Sequence, residues 1–288
     1  MTTKAKFIQL EDGRKLAYTE HGDLSGAPVI FVHGNPGSRL TRHPDERIAE
    51  NLGARIITPD RPGYGFSDFQ PGRTLLDFPN DIRQLAKSLA IDEFAIFGVS
   101  AGGPYVAACA HQMPERITKT AIVSGVSPLN RPNAFEGMGD AWQSAFKISS
   151  LPEWLLRPLL AIQAYFQKRN PEQAVENMAE ILSEADQELL TRPQIRAGVK
   201  GRITEATRQG TRGWAREVKV LLAPWGFNLD EIQVPVHLWY WEDDPAVPPQ
   251  MGHYLEDKIP NTIPHFLPKG GHLSIFEYWG KILASTLS

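Results

Sequence analysis

A single cysteine, Cys109, occurs in 288 residues. One thiol cannot form an internal disulfide or build a multi-cysteine metal site, and such a composition suits a reducing compartment. Excess positive charge is also missing. Thirty basic residues against 33 acidic ones leave −3, which gives no electrostatic case for a nucleic-acid partner. No apolar run approaches the roughly 20 residues that cross a bilayer, so no membrane span is expected. The opening stretch MTTKAKFIQLEDGRK lacks the apolar segment of a secretory signal, and a cytoplasmic location is expected. Repeats and low-complexity tracts are absent as well. What is there is ordinary for a folded domain: 42% hydrophobic and 22% charged residues, enough for a sizeable core. The length fits one large domain, or one domain with an insert.

The first part alternates strand and helix signals. Lys6–Leu10 and Lys15–Thr19 flank the turn-rich Glu11-Asp12-Gly13-Arg14 and predict a hairpin. Val29–Val32 and Phe94–Val99 are short continuous apolar runs, the pattern of strands buried on both faces, and Arg55–Thr58 and Ile117–Val123 read as further strands. Helices are expected over Pro44–Leu52, Leu75–Leu89 and about Pro104–Met113. Strand–helix alternation of this kind implies a mostly parallel sheet covered on both faces, an α/β fold. From about Leu129 to Phe227 strand signals vanish. Trp154, Leu155 and Leu159 follow Pro152, a good first-turn residue; Ala174, Met178 and Leu182 share a stripe; Ile195, Val199 and Ile203 repeat every four residues; so do Trp214, Val218 and Leu221, nearly. Ser183 with Asp186 reads as a capping box, Asp standing in for Glu. The sheet pattern returns with strands at Val236–Trp241 and Ile263–Leu267 and helices at Pro249–Lys258 and Leu273–Leu287. The expected organisation is a core of residues 1–128 and 228–288 with an all-helical cap inserted at 129–227.

Phe97-Gly98-Val99-Ser100-Ala101-Gly102-Gly103 contains Gly-x-Ser-x-Gly between an apolar strand and a helix. A strand that turns sharply into a helix forces its central residue into a strained conformation and exposes the hydroxyl at the sheet edge. The N–H of Ala101 then stands at the positive end of the helix, where it can stabilise an oxyanion. The plainer reading is a Gly-rich turn with a solvent-facing serine. Four further segments bear on the choice: His33-Gly34-Asn35-Pro36-Gly37 after the third strand, Asp60-Arg61-Pro62-Gly63-Tyr64-Gly65-Phe66-Ser67-Asp68 after the fourth, Trp241-Glu242-Asp243-Asp244-Pro245-Ala246-Val247-Pro248 after the seventh, and Gly270-Gly271-His272-Leu273 after the eighth. In that order, over nearly the whole chain, the sequence resembles the α/β-hydrolase fold family in its serine-esterase-like branch. The resemblance implies an α/β-hydrolase core with an inserted helical cap, Ser100 as nucleophile, and the backbone N–H groups of Asn35 and Ala101 as the oxyanion hole.

A serine hydroxyl needs a base, and the base needs an orienting acid. Of eight histidines, His272 follows two glycines and precedes the last helix; His33 reads as structural, His237 lies in a strand, His111 in a helix, and His21, His43, His253 and His265 lack a Gly-rich loop at the right edge. Two aspartates are adjacent, and the family's turn selects Asp244, with Asp243 the alternative register. Two departures stand out. Trp241 replaces the small residue usual in this loop, which either crowds the acid or packs against the cap. His33-Gly34-Asn35-Pro36 looks like the loop of haloalkane dehalogenases and epoxide hydrolases, but those use an aspartate nucleophile, and the elbow here holds Ser100.

Phe135, Trp142, Phe146, Trp154, Tyr165, Phe166, Trp214 and Trp225 fill the cap segment. Most read as cap core; some could roof a pocket, with Trp142 and Phe146 the first candidates for substrate contact. Glu172, Glu176, Glu180, Glu184 and Glu188 recur every four residues, as do Arg192, Arg196 and Lys200, then Arg208, Arg212 and Arg216. These are either solvated faces or stripes that pair across the cap. The combined expectation is a serine hydrolase of small to medium apolar carboxylic esters that needs no metal and no organic cofactor. The same triad serves lactonases, C–C bond hydrolases, cofactor-free perhydrolases and prolyl aminopeptidases. A slow hormone-receptor-like binding protein shares it too, and a turnover far below one per second would mark that class.

Overall fold

Apolar strand runs alternate their side chains between two cores, and this is what organises the molecule. The computed structural model describes residues 4–287. Eight strands, β1 (Lys6–Gln9), β2 (Lys15–Gly22), β3 (Ala27–Val32), β4 (Ala54–Pro59), β5 (Phe94–Val99), β6 (Ile117–Val123), β7 (Val236–Trp241) and β8 (Thr262–Leu267), form one sheet in the order β1-β2-β4-β3-β5-β6-β7-β8. β1 and β2 pair antiparallel, β2 is antiparallel to β4, and all later pairs are parallel. In β5, Phe94 and Ile96 enter one core, whereas Ala95, Phe97 and Val99 enter the other. That period of two, with both faces covered, is why the run reads as continuously apolar. The α/β-hydrolase sheet expected from the sequence is the one observed.

The first core is closed by α2 (Phe78–Ser88), α3 (Gly103–Gln112) and α10 (Pro249–Lys258) through Ile82, Leu85, Val106, Met251 and Leu255. The second is closed by α1 (Arg47–Asn51) and α11 (Ile275–Leu287), whose Trp279 meets Phe31 and Phe97 edge-on. Cys109 is buried in the first core. Three helices are shorter than their sequence patterns; α2 begins at Phe78, not Leu75, because Leu75–Asp77 forms a separate 3-10 turn. α1 begins at Arg47, not Pro44, because the Asp45 carboxylate accepts the Arg47 N–H and holds the preceding residues in a turn. α11 begins at Ile275, not Leu273, because the residues before it are engaged elsewhere: the Gly271 N–H donates to Ser274 Oγ and the Leu273 N–H to Asp186.

Between β6 and β7 lie six helices: α4 (Asp140–Ser149), α5 (Glu153–Arg169), α6 (Pro171–Ala179), α7 (Glu184–Leu190), α8 (Pro193–Ala206) and α9 (Arg212–Leu222). They carry two small cores of their own. One joins Leu156, Leu160 and Ala164 of α5 to Ile203, Trp214 and Val218, with Tyr64 of the sheet domain; the other joins Val175, Leu189, Leu190 and Ile195 to Leu273. The inward face of α5 is therefore not the one its first residues suggested. Trp154, Leu155 and Leu159 are exposed, as are Tyr165 and Phe166, so Trp154, Tyr165 and Phe166 do not belong to a core. The charge stripes pair in part: Arg196 bridges Glu172 and Glu176, and Lys200 also meets Glu172. No helix among the described residues is long and apolar enough to cross a membrane.

Candidate active site

The chain builds β3, passes outward to β4, then returns to place β5 on the other flank of β3. The crevice beyond the carboxyl ends of two such diverging strands is where open parallel sheets hold ligands. Val32 pairs with Gly98, so the loops that follow, His33–Asn35 and Val99–Ser100, emerge side by side.

Ser100 stands at the head of a short 3-10 turn (Ser100–Gly102) that runs into α3, with a left-handed φ of 56°. A non-glycine residue in that region is strained, and the surroundings must enforce it. Here the enforcement is backbone crowding. A Cβ on Gly102 would lie 2.3 Å from the Val32 carbonyl oxygen, and one on Gly98 would lie 2.8 Å from the Gly102 carbonyl oxygen. Both flanking glycines are required by close approach.

His272 follows β8, and its Nδ1–H donates to Asp244 Oδ2 at 2.9 Å. Asp244 is buried at the turn after β7 and is locked from both sides. Its Oδ1 accepts the N–H groups of Ala246 (2.9 Å) and Val247 (3.0 Å), and its Oδ2 also accepts from the Ser124 hydroxyl (2.8 Å). Asp243 is exposed, on a different cavity. The imidazole, 15% exposed, is pulled down in pKa by its burial, but the charge and hydrogen bond of Asp244 and the charge of Asp186 outweigh that, so it titrates above 6.5. Arg202 opposes the rise.

A cavity of about 60 Å³ opens at the crevice. Ser100, His272, Asn35, Arg202 and Thr41 line it, with Phe31, Val99, Leu273, Phe276 and Trp279 among its apolar walls. Ser100 and His272 therefore share one cavity, although Ser100 Oγ makes no hydrogen bond among the described residues. Such contacts are often long before substrate binds. Ala101, behind Ser100, is buried and outside the lining. The Asn35 side chain accepts from the Tyr64 hydroxyl at 2.7 Å, which fixes its loop. His33 is buried and neutral, its Nδ1–H on the Gly34 carbonyl and its Nε2 accepting the Arg61 N–H; burial and the nearby Arg61 charge hold its pKa well below 6.5.

A second cavity, about 540 Å³, lies between α4, the α6–α7 turn, Asp243 and Pro245, yet none of Ser100, Asp244 or His272 lines it. Trp142 does, and its ring is also 6.5 Å from His272. Phe146 lines neither cavity; it packs on Phe135 and the first core. Trp241 is fully buried in the second core against Tyr278 and Gly270, rather than against the helical segment. A Cβ on Gly270 (φ 127°) would sit 2.4 Å from the indole, so this loop tolerates the large residue by having glycine opposite.

Four residues at the site escaped the sequence reading. Ser124 had no motif. Arg202 fell outside the arginine stripes. Ser183 and Asp186 form only half of the expected capping box: Ser183 Oγ accepts the Asp186 N–H, while the Asp186 carboxylate crosses to the histidine loop and accepts the N–H groups of His272 (2.8 Å) and Leu273 (2.7 Å). Burial pushes its carboxyl above the usual range. Glu217 of α9, wholly buried, joins Arg61 after β4 to Arg73.

Comparison with known proteins identifies the fold family. A family model described as alpha/beta hydrolase fold matches residues 27–278. Non-heme chloroperoxidase from Streptomyces lividans is 33% identical over 125 residues, which are 42% of this chain and 45% of that protein, so the chain spans less than half the length of that curated relative. Two solved structures superpose along the whole length: a bromoperoxidase from Bacillus anthracis (TM-score 0.75, 21% identity, 99% of each chain) and the esterase EaEST from Exiguobacterium antarcticum (TM-score 0.73, 19% identity, 99% of this chain and 100% of that one). At those identities the likeness is one of fold.

Proposed function

Because the chain belongs to the alpha/beta hydrolase fold family, we propose that it is a serine hydrolase of small carboxylic esters. The observation that carries this reading is the His272–Asp244 hydrogen bond at the rim of a cavity that His272 shares with the strained Ser100. With Nδ1–H committed to Asp244, His272 Nε2 is the free base. It takes the Ser100 proton as Oγ attacks the ester carbonyl, and later delivers it to the leaving alkoxide. The N–H groups of Asn35 and Ala101 hold the oxyanion, and water then releases the acid through the same histidine. Residues 129–227 act as the cap. The cavity is small, so short esters are favoured and longer ones need outward movement of the cap.

A fluorophosphonate probe tests this directly. It should modify Ser100 and no other residue; modification at Ser67 or Ser124 instead would sink the assignment. Asp244→Asn should cost about 10⁴-fold in turnover, because the amide holds the imidazole in the wrong tautomer, whereas Asp243→Asn should stay within about threefold. Reversed effects would put the acid one residue earlier. Activity should also follow the histidine. Since the base must be neutral and titrates above 6.5, kcat/KM should rise with pH through one ionisation whose midpoint exceeds 6.5. A rate that is flat from about pH 5 to 9 would contradict a histidine base.

The likeness to a chloroperoxidase and a bromoperoxidase favours a second reading, perhydrolysis. The same acyl-enzyme would be attacked by hydrogen peroxide in place of water, giving a peracid. Peracid formation from an ester and peroxide, lost in Ser100→Ala, would support it.

A further inference from the structure

Arg202 reaches the cavity from α8, alongside Ser100 and His272. Its side chain is partly buried, and its hydrogen bond is to a thioether, Met178 Sδ at 3.4 Å. A thioether is a weak acceptor and leaves most of the guanidinium's five donors unused. Other buried arginines nearby are matched with carboxylates: Arg39 with Asp60 and Glu205, Arg61 and Arg73 with Glu217. The carboxylates that bond His272 and its loop are already engaged, Asp244 by His272, Ser124 and two backbone N–H groups, Asp186 by the backbone of the histidine loop. Burial disfavours the charge on Arg202, and no carboxylate of the described residues offsets this. A partly buried cation without a counter-charge is costly in proportion to its burial, and the missing partner here is a group that can enter a cavity whose other walls are mostly apolar.

We propose that Arg202 is the anion anchor of this site, so that the preferred substrate is a short ester carrying a free carboxylate, which the guanidinium holds while Ser100 attacks the ester carbonyl. The assignment rests on the serine-hydrolase reading above. Arginine and carboxylate can pair through two parallel hydrogen bonds, which fixes the orientation of a small substrate that has little apolar surface to orient it. Of the two cavities, the one with the nucleophile carries this arginine, whereas Asp140, Glu180, Glu184 and Asp243 line the larger one and would repel an anion.

Two matched pairs of esters test the anchor. Monomethyl succinate against dimethyl succinate places the charge on the acyl side; acetoxyacetate against its methyl ester places it on the alcohol side. In the parent enzyme kcat/KM should favour the charged member of at least one pair, and the pair with the larger ratio identifies the side that faces Arg202. Arg202→Gln should reduce that ratio by about 10-fold or more, the size of one charge-assisted hydrogen bond, and Arg202→Lys should restore part of it. Succinate gives a readout free of turnover: it should raise the melting temperature of the parent and not that of Arg202→Gln. Equal rates for charged and neutral esters, or a ratio that Arg202→Gln leaves unchanged, overturn the proposal. Failure of the underlying reading looks different. In that case Ser100 resists the phosphonate while succinate still stabilises the parent through Arg202.

Discussion

Replacing Ser100 by alanine is expected to lower ester turnover by roughly 10⁴- to 10⁶-fold, the range for loss of a triad nucleophile, with the fold unaffected. The second half of that expectation is structural. Ser100 Oγ makes no hydrogen bond among the described residues, so its removal leaves no buried partner unsatisfied. The backbone contacts of the turn survive, since the Val126 N–H still reaches the Ser100 carbonyl. Alanine keeps a Cβ, so the strain at φ 56° is neither relieved nor increased. Residual activity should come from the oxyanion donors and substrate binding alone. Turnover measured beside thermal melting checks both halves. A variant that keeps a tenth of the parent activity would mean that the hydroxyl is not the nucleophile.

The site was legible in the sequence where its chemistry is local. Gly98, Ser100 and Gly102 are spaced by what one tight turn needs, and His272 follows two glycines. Strand β5 coincides with its apolar run because a strand buried on both faces has no polar residue to blur its ends. What failed was whatever depends on partners distant in the chain. Asp186 and Arg202 lie 86 and 70 positions before His272, and at such distances only the folded chain brings them together. Ser183 and Asp186 do start a helix, but the local rule could not say that the carboxylate has a better use elsewhere. α5 is apolar nearly all round, so periodicity selects no inward face: Leu156, Leu160 and Ala164 turn in while Trp154, Leu159 and Phe166 turn out. Trp241 was misplaced for a related reason, since the glycine that accommodates it is 29 positions later.

Glu217→Gln is expected to destabilise the fold by about 3–5 kcal/mol, the cost of breaking a buried charge network by removing one partner. Glu217 sits on α9 with no exposure, between the guanidiniums of Arg61 and Arg73, and its Oε2 also accepts the Tyr105 hydroxyl at 2.9 Å. Arg61 further donates to the Gly34 carbonyl at 2.9 Å, in the loop that carries Asn35. The network thus joins the inserted helices, the loops after β3 and β4, and α3. Gln keeps the shape and removes the charge, leaving two buried cations with no carboxylate. Burial alone would raise the Glu217 pKa, but the two guanidiniums reverse that and hold it below the ordinary 4.5. A carboxylate whose folded pKa is depressed contributes stability that is fully present above its unfolded pKa and is lost as pH falls through the folded value. The Glu217 contribution should therefore persist at neutral pH and fade only below about 4.5. At pH 7 the melting temperature of Glu217→Gln should drop by about 6–10 °C, taking ~2 °C per kcal/mol for a chain of this size. The gap between parent and variant should narrow on acidification below pH 4.5. A variant that melts within about 1 °C of the parent at pH 7 would show that the two arginines find other partners or water once the charge is gone, and that the inserted helices are held to the sheet by their apolar contacts alone.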